Sequence, residues 1–147
     1  MEYQHTQWGY TAIPTFLLFA VVIPMTTADE ETTAAITAML IVFTVALLAI
    51  VLLFSRLEAT VSNGRIVVAF GFGRPHRVIE LADVTAVRQV RNTWIQGWGI
   101  RKITNGWMYN VWGLDAVEVE LSSGDVFRIG TDDPENLLAV IALQIKP

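Results

Sequence analysis

The sequence predicts a two-part membrane protein: a helical hairpin in the bilayer, followed by a mostly-β domain that ends in one helix. Three observations predict it. Residues 36–54 carry no charge at all. From residue 57 the apolar positions begin to alternate with polar ones. Near residue 134 the apolar spacing changes again, to that of a helix.

The composition divides at the same places. Hydrophobic residues make up 53% of the chain and charged ones only 16%, which is apolar for a single soluble domain. The net charge of −4 resides in residues 1–54, which hold Glu2, Asp29, Glu30 and Glu31 and no Lys or Arg. Residues 55–147 balance their bases against their acids. The boundary is therefore drawn at 54/55. No basic excess marks a nucleic-acid binder, and the lack of cysteine excludes disulfides, thiolate metal sites and Cys nucleophiles.

The second apolar run, residues 33–54, would be about 33 Å long as a helix, enough for a hydrocarbon core of about 30 Å. Backbone amides in lipid must pair within the segment, so it is read as helical. The first run, residues 10–27, is shorter and holds Pro14 and Pro24. Pro14 falls in the first turn, where a missing N–H matters little. Pro24 falls near the exit, where it kinks or ends the helix. Trp8 and Tyr10 precede this run at the level of an interfacial aromatic belt. A signal peptide would open on a basic segment, and residues 1–9 have none. A buried helical pair and a re-entrant first segment are the other readings. The connecting residues 28–32 are few and include three acids. Arg56 follows the second run directly, and Arg65 lies close by. The positive-inside rule then puts both termini and the β domain in the cytoplasm.

In the β domain, Leu57, Ala59 and Val61 alternate with Glu58, Thr60 and Ser62, the pattern of a half-buried strand. Asn63-Gly64 is the strongest short hairpin signal, because both central positions of a type I′ turn need positive φ. Residues 65–70 return as a strand, 71–76 turn, and 77–81 and 83–91 form two more strands. Residues 92–114 are irregular, with short strands around 99–103 and 107–111. In 116–121, Val117, Val119 and Leu121 face one way and Glu118 and Glu120 the other. A turn at 122–125 leads to a strand at 126–129. Asp133 suits a helix N-cap and Pro134 the first helical position. Leu137, Leu138, Ile141 and Ile145 then recur at helical spacing, giving a helix over about 134–145. The order is about seven short strands and one amphipathic helix.

Four stretches carry a resemblance: Trp98-Gly99-Ile100-Arg101, Gly106-Trp107-Met108-Tyr109-Asn110, Gly113-Leu114-Asp115-Ala116-Val117-Glu118-Val119 and Phe127-Arg128-Ile129-Gly130-Thr131-Asp132-Asp133-Pro134-Glu135. With the two apolar runs before them, they make the chain resemble the bacterial pleckstrin-homology-like (PH-like) membrane proteins. The resemblance covers essentially the whole chain, and its motifs lie in residues 98–135. It implies a seven-stranded barrel or sandwich of two nearly orthogonal antiparallel sheets capped by the final helix, in the bacterial inner membrane. The motifs are turns and caps, so they speak to fold more than to activity. PH domains that bind phosphoinositides use a Lys-x(n)-Arg motif at the first hairpin. Here that hairpin offers Asn63, Gly64 and Arg65 and no Lys, a departure that counts against head-group binding of that type.

Two features bear on function. Residues 74–102 hold Arg74, Arg77, Arg88, Arg91, Arg101 and Lys102 against Glu80 and Asp83, whereas residues 103–147 are acidic. The basic stretch could face anionic lipid head groups; as plain strand edges, its charges would instead block edge-to-edge pairing. Trp94, Trp98, Trp107 and Trp112 fall close together with Tyr109. They could form a binding surface or fill the core. No catalytic or metal constellation is present: His5 and His76 are far apart, Gly71-x-Gly73 lacks a third glycine, and Asp132 with Asp133 reads as helix capping. The expectation is a non-enzymatic module without cofactor or small-molecule substrate. Lipid would surround residues 10–54, and a protein partner or a second copy would engage the β domain. The alternative is a sensor of anionic lipid surface acting through residues 74–102.

Overall fold

The computed structural model describes residues 2–10, 14, 17–19 and 34–145. The strands are β1 (Tyr3–Trp8), β2 (Arg56–Ser62), β3 (Arg65–Phe70), β4 (His76–Glu80), β5 (Val84–Arg91), β6 (Gly99–Ile103), β7 (Gly106–Asn110), β8 (Asp115–Leu121) and β9 (Val126–Gly130). The helices are α1 (Ala34–Leu53) and α2 (Pro134–Gln144). Two sheets form, in the orders β1-β2-β3-β4 and β5-β8-β9-β7-β6.

α1 is one helix of 20 residues, with no charged and no buried residue. Among the described residues it alone is long and apolar enough to cross a membrane. Most of the expected first span and the whole 28–32 connection lie outside the described residues.

The first sheet also takes in a segment that precedes the 54/55 boundary. Tyr3–Trp8 is a strand of the first sheet, antiparallel to β2, with Tyr3 opposite Val61 and Trp8 opposite Arg56. The Gly9 N–H donates to the Ser55 carbonyl at 2.6 Å. The chain therefore leaves the sheet after β1 and re-enters it beside its own exit.

The local readings of β2 and β3 hold. Leu57, Ala59 and Val61 are buried and their neighbours are not. Asn63 and Gly64 both have positive φ, and Ser62 faces Arg65 across the turn. The strand count and the pairing differ from expectation. Nine strands stand among the described residues, not seven, and β7 and β9 run parallel where antiparallel sheets were expected. Gly106 permits that pairing, because a Cβ there would overlap the Val126 backbone. Residues 92–98 are not merely irregular. β5 and β6 are opposite edges of the second sheet, so this segment must cross four inter-strand steps, about 19 Å.

The core lies between the sheets. Ile66, Val68 and Phe70 from one meet Val117, Val119 and Ile129 from the other, and Leu137 and Ile141 of α2 close the cluster. Burying one such aliphatic side chain contributes roughly 1.5–3 kcal/mol, so α2 is an integral part of the domain.

Candidate functional site

The two sheets leave two openings between their edges. α2 closes one of them. It packs against β5 and β8, and the residues before it are tied to β1. The Tyr3 hydroxyl donates to Asp133 Oδ2 at 3.1 Å, and His5 Nε2 lies 2.6 Å from Asp132 Oδ1. Burial, reinforced by the Asp133 carboxylate, pushes the Tyr3 phenol well above its usual range.

Among the described residues, none covers the opening between β4 and β6. A cavity of about 220 Å³ there is lined by Arg77, Ile100, Trp107, Tyr109 and Phe127. A second, of about 460 Å³, shares Arg77, Trp107 and Phe127 and adds Lys102 and Asp125. A third, of about 400 Å³, shares Ile100 and reaches Trp98, Arg101, the last turn of α1 at Ile50 and Val51, and Phe54 just after it. The first two share three lining residues and form one groove between β4 and β6; the third, at the α1 end, meets the first at Ile100. Strand alternation builds it. Ile100 faces Tyr109 and Lys102 faces Trp107 across β6 and β7, so all four stand on one face. Tyr109 forms the inner wall, with its ring 5.1 Å from that of Phe70 and 5.0 Å from that of Phe127. Both rims, β4 and β6, are edge strands paired on one side only.

The end of the domain nearest α1 is aromatic. Trp98 stacks on Trp112 at 5.1 Å, Tyr10 meets Trp112 edge-on at 5.7 Å, and the Arg56 guanidinium lies 5.8 Å from the Trp8 ring centre. The Trp112 turn is set by Asn110, whose Nδ2 donates to the Gly113 carbonyl at 3.2 Å, and by Gln7, whose Nε2 donates to the Trp112 carbonyl at 3.0 Å. Trp94 is 81% exposed and Ile95 77%. Trp107 is half exposed at the groove. The four tryptophans therefore neither fill the core nor form one cluster.

The basic stretch also divides. Arg74, Arg77, Arg91, Arg101 and Lys102 are exposed and have no carboxylate partner among the described residues. Arg88 does not belong with them. Its Nε donates to Glu118 Oε1 at 2.8 Å, and its Nη2 lies 3.5 Å from Glu120 Oε1. Glu118, on the opposite face of β8 from Val117 and Val119, is buried at 3% exposure. It stands directly between Arg88 on β5 and Arg128 on β9. Arg128 Nε reaches Glu118 Oε2 at 3.0 Å, and its Nη1 reaches Asn92 Oδ1 at 2.9 Å. Burial alone would raise the Glu118 carboxyl, but the hydrogen bonds and charges of Arg128 and Arg88 outweigh it and hold the group below the usual carboxylate range.

Asp133 occupies the N-cap position and Pro134 the first helical turn, as expected, yet the Asp133 carboxylate makes no cap hydrogen bond. It accepts from Tyr3 and from Asn136 Nδ2 instead. Sequence reasoning missed Gln7, Asn92 and Asn110, because a buried amide leaves no periodic trace. No group of three His, Cys, Asp or Glu among the described residues is placed to hold a metal. No model of a known protein family matches this chain, and no curated protein matches it.

Proposed function

We propose that the protein is a non-enzymatic, membrane-tethered assembly module. In this reading the β domain is held at the cytoplasmic face of a bacterial inner membrane by a helical hairpin and takes an extended segment of a protein partner into its β4–β6 groove. The partner is another protein or a second copy of this chain. The observation that carries the reading is the groove itself: two single-sided edge strands flank an aromatic floor. Edge strands supply backbone hydrogen bonds to an added segment, and pockets between them select side chains. Arg77 and Lys102, without an ion-pair partner among the described residues, favour a segment with acidic residues.

The Gly9–Ser55 hydrogen bond supports the hairpin. α1 is about 30 Å long, and its C-terminal end adjoins the sheet. If α1 crosses the bilayer, the residues before it must cross as well, because β1 lies in the same sheet as β2. That pairing also weighs against a cleaved signal sequence, since cleavage would remove a sheet strand. Arg56 and Arg65 near α1, with only acids in residues 28–32, support the cytoplasmic orientation. The two sheets and the closing helix are in keeping with the PH-like resemblance, although the parallel β7–β9 pair departs from it.

The test is photo-crosslinking in native membranes from position 102 in the groove, with position 123 as control. The expected result is adducts from 102 that map to one contiguous partner segment and disappear with Trp107→Ala. Lipid-only adducts, or equal protein adducts from 102 and 123, would overturn the assignment.

A further inference from the structure

We infer that two turns of the β domain, residues 71–75 and 93–98, seat in the bilayer interface beside α1 and fix the domain's attitude on the membrane. The inference rests on the reading of α1 as a membrane span; it does not depend on the groove's occupant.

Both turns lie at the α1 end. Gly71 abuts the helix terminus so closely that a Cβ there would collide with the Leu53 carbonyl, and its N–H donates to the Arg56 carbonyl at 2.9 Å. Residues 93–98 end on Trp98, which stacks on Trp112 and lines a cavity together with Ile50, Val51 and Phe54. There is no linker, so the plane that α1 enters lies against these turns.

Each turn presents large apolar side chains to the outside. Phe72 is 89% exposed, and Trp94 and Ile95 are nearly as open. These are held turns. The Gly73 N–H donates to the Phe70 carbonyl at 2.8 Å and the Phe70 N–H to the Pro75 carbonyl at 3.0 Å. The Thr93 N–H donates to Gln96 Oε1 at 2.8 Å and the Gln96 N–H to the Thr93 carbonyl at 3.0 Å. Turns fixed in this way hold their apolar side chains outward, and in water that is unfavourable. The tips at the other end of the sheets carry only small or polar residues: Asn63 and Gly64, Asn105, and Ser123 and Gly124. The apolar tips are thus confined to the end from which α1 departs.

The charges agree with this occupant. Arg74 and Arg91 sit in or beside the two turns, exposed and without a carboxylate partner among the described residues. Indole and phenyl rings favour the interface, and arginines beside them meet anionic head groups. A bilayer surface containing anionic lipid satisfies both at once.

The chain has no native cysteine, so single labels are unambiguous. The full chain, reconstituted in phosphatidylcholine–phosphatidylglycerol vesicles, is spin-labelled singly through Phe72→Cys, Ile95→Cys, Val42→Cys and Ser123→Cys. Labels at 42, 72 and 95 should be more accessible to oxygen than to a water-soluble nickel chelate, and the label at 123 should show the reverse. If 72 and 95 behave like 123 while 42 is in lipid, the inference falls and the span reading stands. If 42 also behaves like 123, both fall. In unlabelled protein, lipids brominated near the head group should quench tryptophan fluorescence, and Trp94→Phe should remove part of that quenching. Quenching unchanged by Trp94→Phe would count against the inference.

Discussion

Trp8 and Arg56 face each other across β1 and β2 at the point where the chain leaves the first sheet and returns to it. Facing residues in an antiparallel pair lie about 4.5–5.5 Å apart at Cα, within the range a disulfide spans. The double variant Trp8→Cys/Arg56→Cys should therefore oxidise to an internal disulfide in membranes, read by thiol titration and intact mass. Two free thiols after oxidation would mean that β1 is not paired with β2 and that the chain does not return beside its exit.

Breaking the Arg88–Glu118–Arg128 row from one side should destabilise the second sheet, because it leaves a buried charge uncompensated. Glu118→Gln leaves Arg128, at 17% exposure, without its counter-charge. Unfolding in detergent should show a loss of about 3 kcal/mol, the range for breaking one side of a buried pair. Arg128→Ala should weaken the fold more than Arg88→Ala, because the Arg88 side chain is 62% exposed and solvent screens it.

The same carboxylate sets a pH dependence. Its folded-state pKa is lowered, so its contribution is present above the unfolded value of ~4.3 and is lost as pH falls through the folded value. Wild type and Glu118→Gln should therefore differ in stability at neutral pH and converge in acid. A gap that is unchanged at low pH would argue against the ion pair as its source.

α2 should behave as part of the core. Leu137 is fully buried, and Leu137→Ala should lower stability by about 3 kcal/mol, within the usual span for a core truncation. The Tyr3–Asp133 contact ties the approach to α2 to β1. With the Tyr3 pKa raised, this contact holds below the ordinary phenol value of ~10 and weakens as pH rises above it. The stability difference between wild type and Tyr3→Phe should shrink in strong alkali.

The proposed cytoplasmic orientation in a bacterial inner membrane is checked at the far end of the sheets. Ser123→Cys should react with a membrane-impermeant maleimide in inverted inner-membrane vesicles and stay unlabelled in intact spheroplasts. The opposite pattern would place the β domain outside.

Local pattern was legible wherever one residue's neighbours along the chain decide its state. Asn63-Gly64 makes its turn from its own φ preferences, and Leu57, Ala59 and Val61 alternate because one face of β2 is buried. β1 was not legible, because Gln4, His5, Thr6 and Gln7 show no apolar alternation; β1 is a strand because β2 offers it a pairing edge. The burial of Glu118 was not legible, because the arginines that cover it come from β5 and β9. The tryptophans looked like one cluster because they are close in sequence, yet strand direction sends Trp107 to the groove and Trp94, Trp98 and Trp112 to the α1 end.

The sequence by itself therefore determined the apolar helix, the β2–β3 hairpin, the β8 and β9 strands and the start of α2. These follow from periodicity and backbone preference over a few residues. Tertiary structure alone decided that Tyr3–Trp8 joins the β domain, that β7 lies parallel to β9, that α2 covers one opening and leaves the β4–β6 groove uncovered, and which arginines remain unpaired. Those outcomes depend on contacts between segments distant in the chain. Their free energy comes from burial and hydrogen bonding between partners that no local window contains.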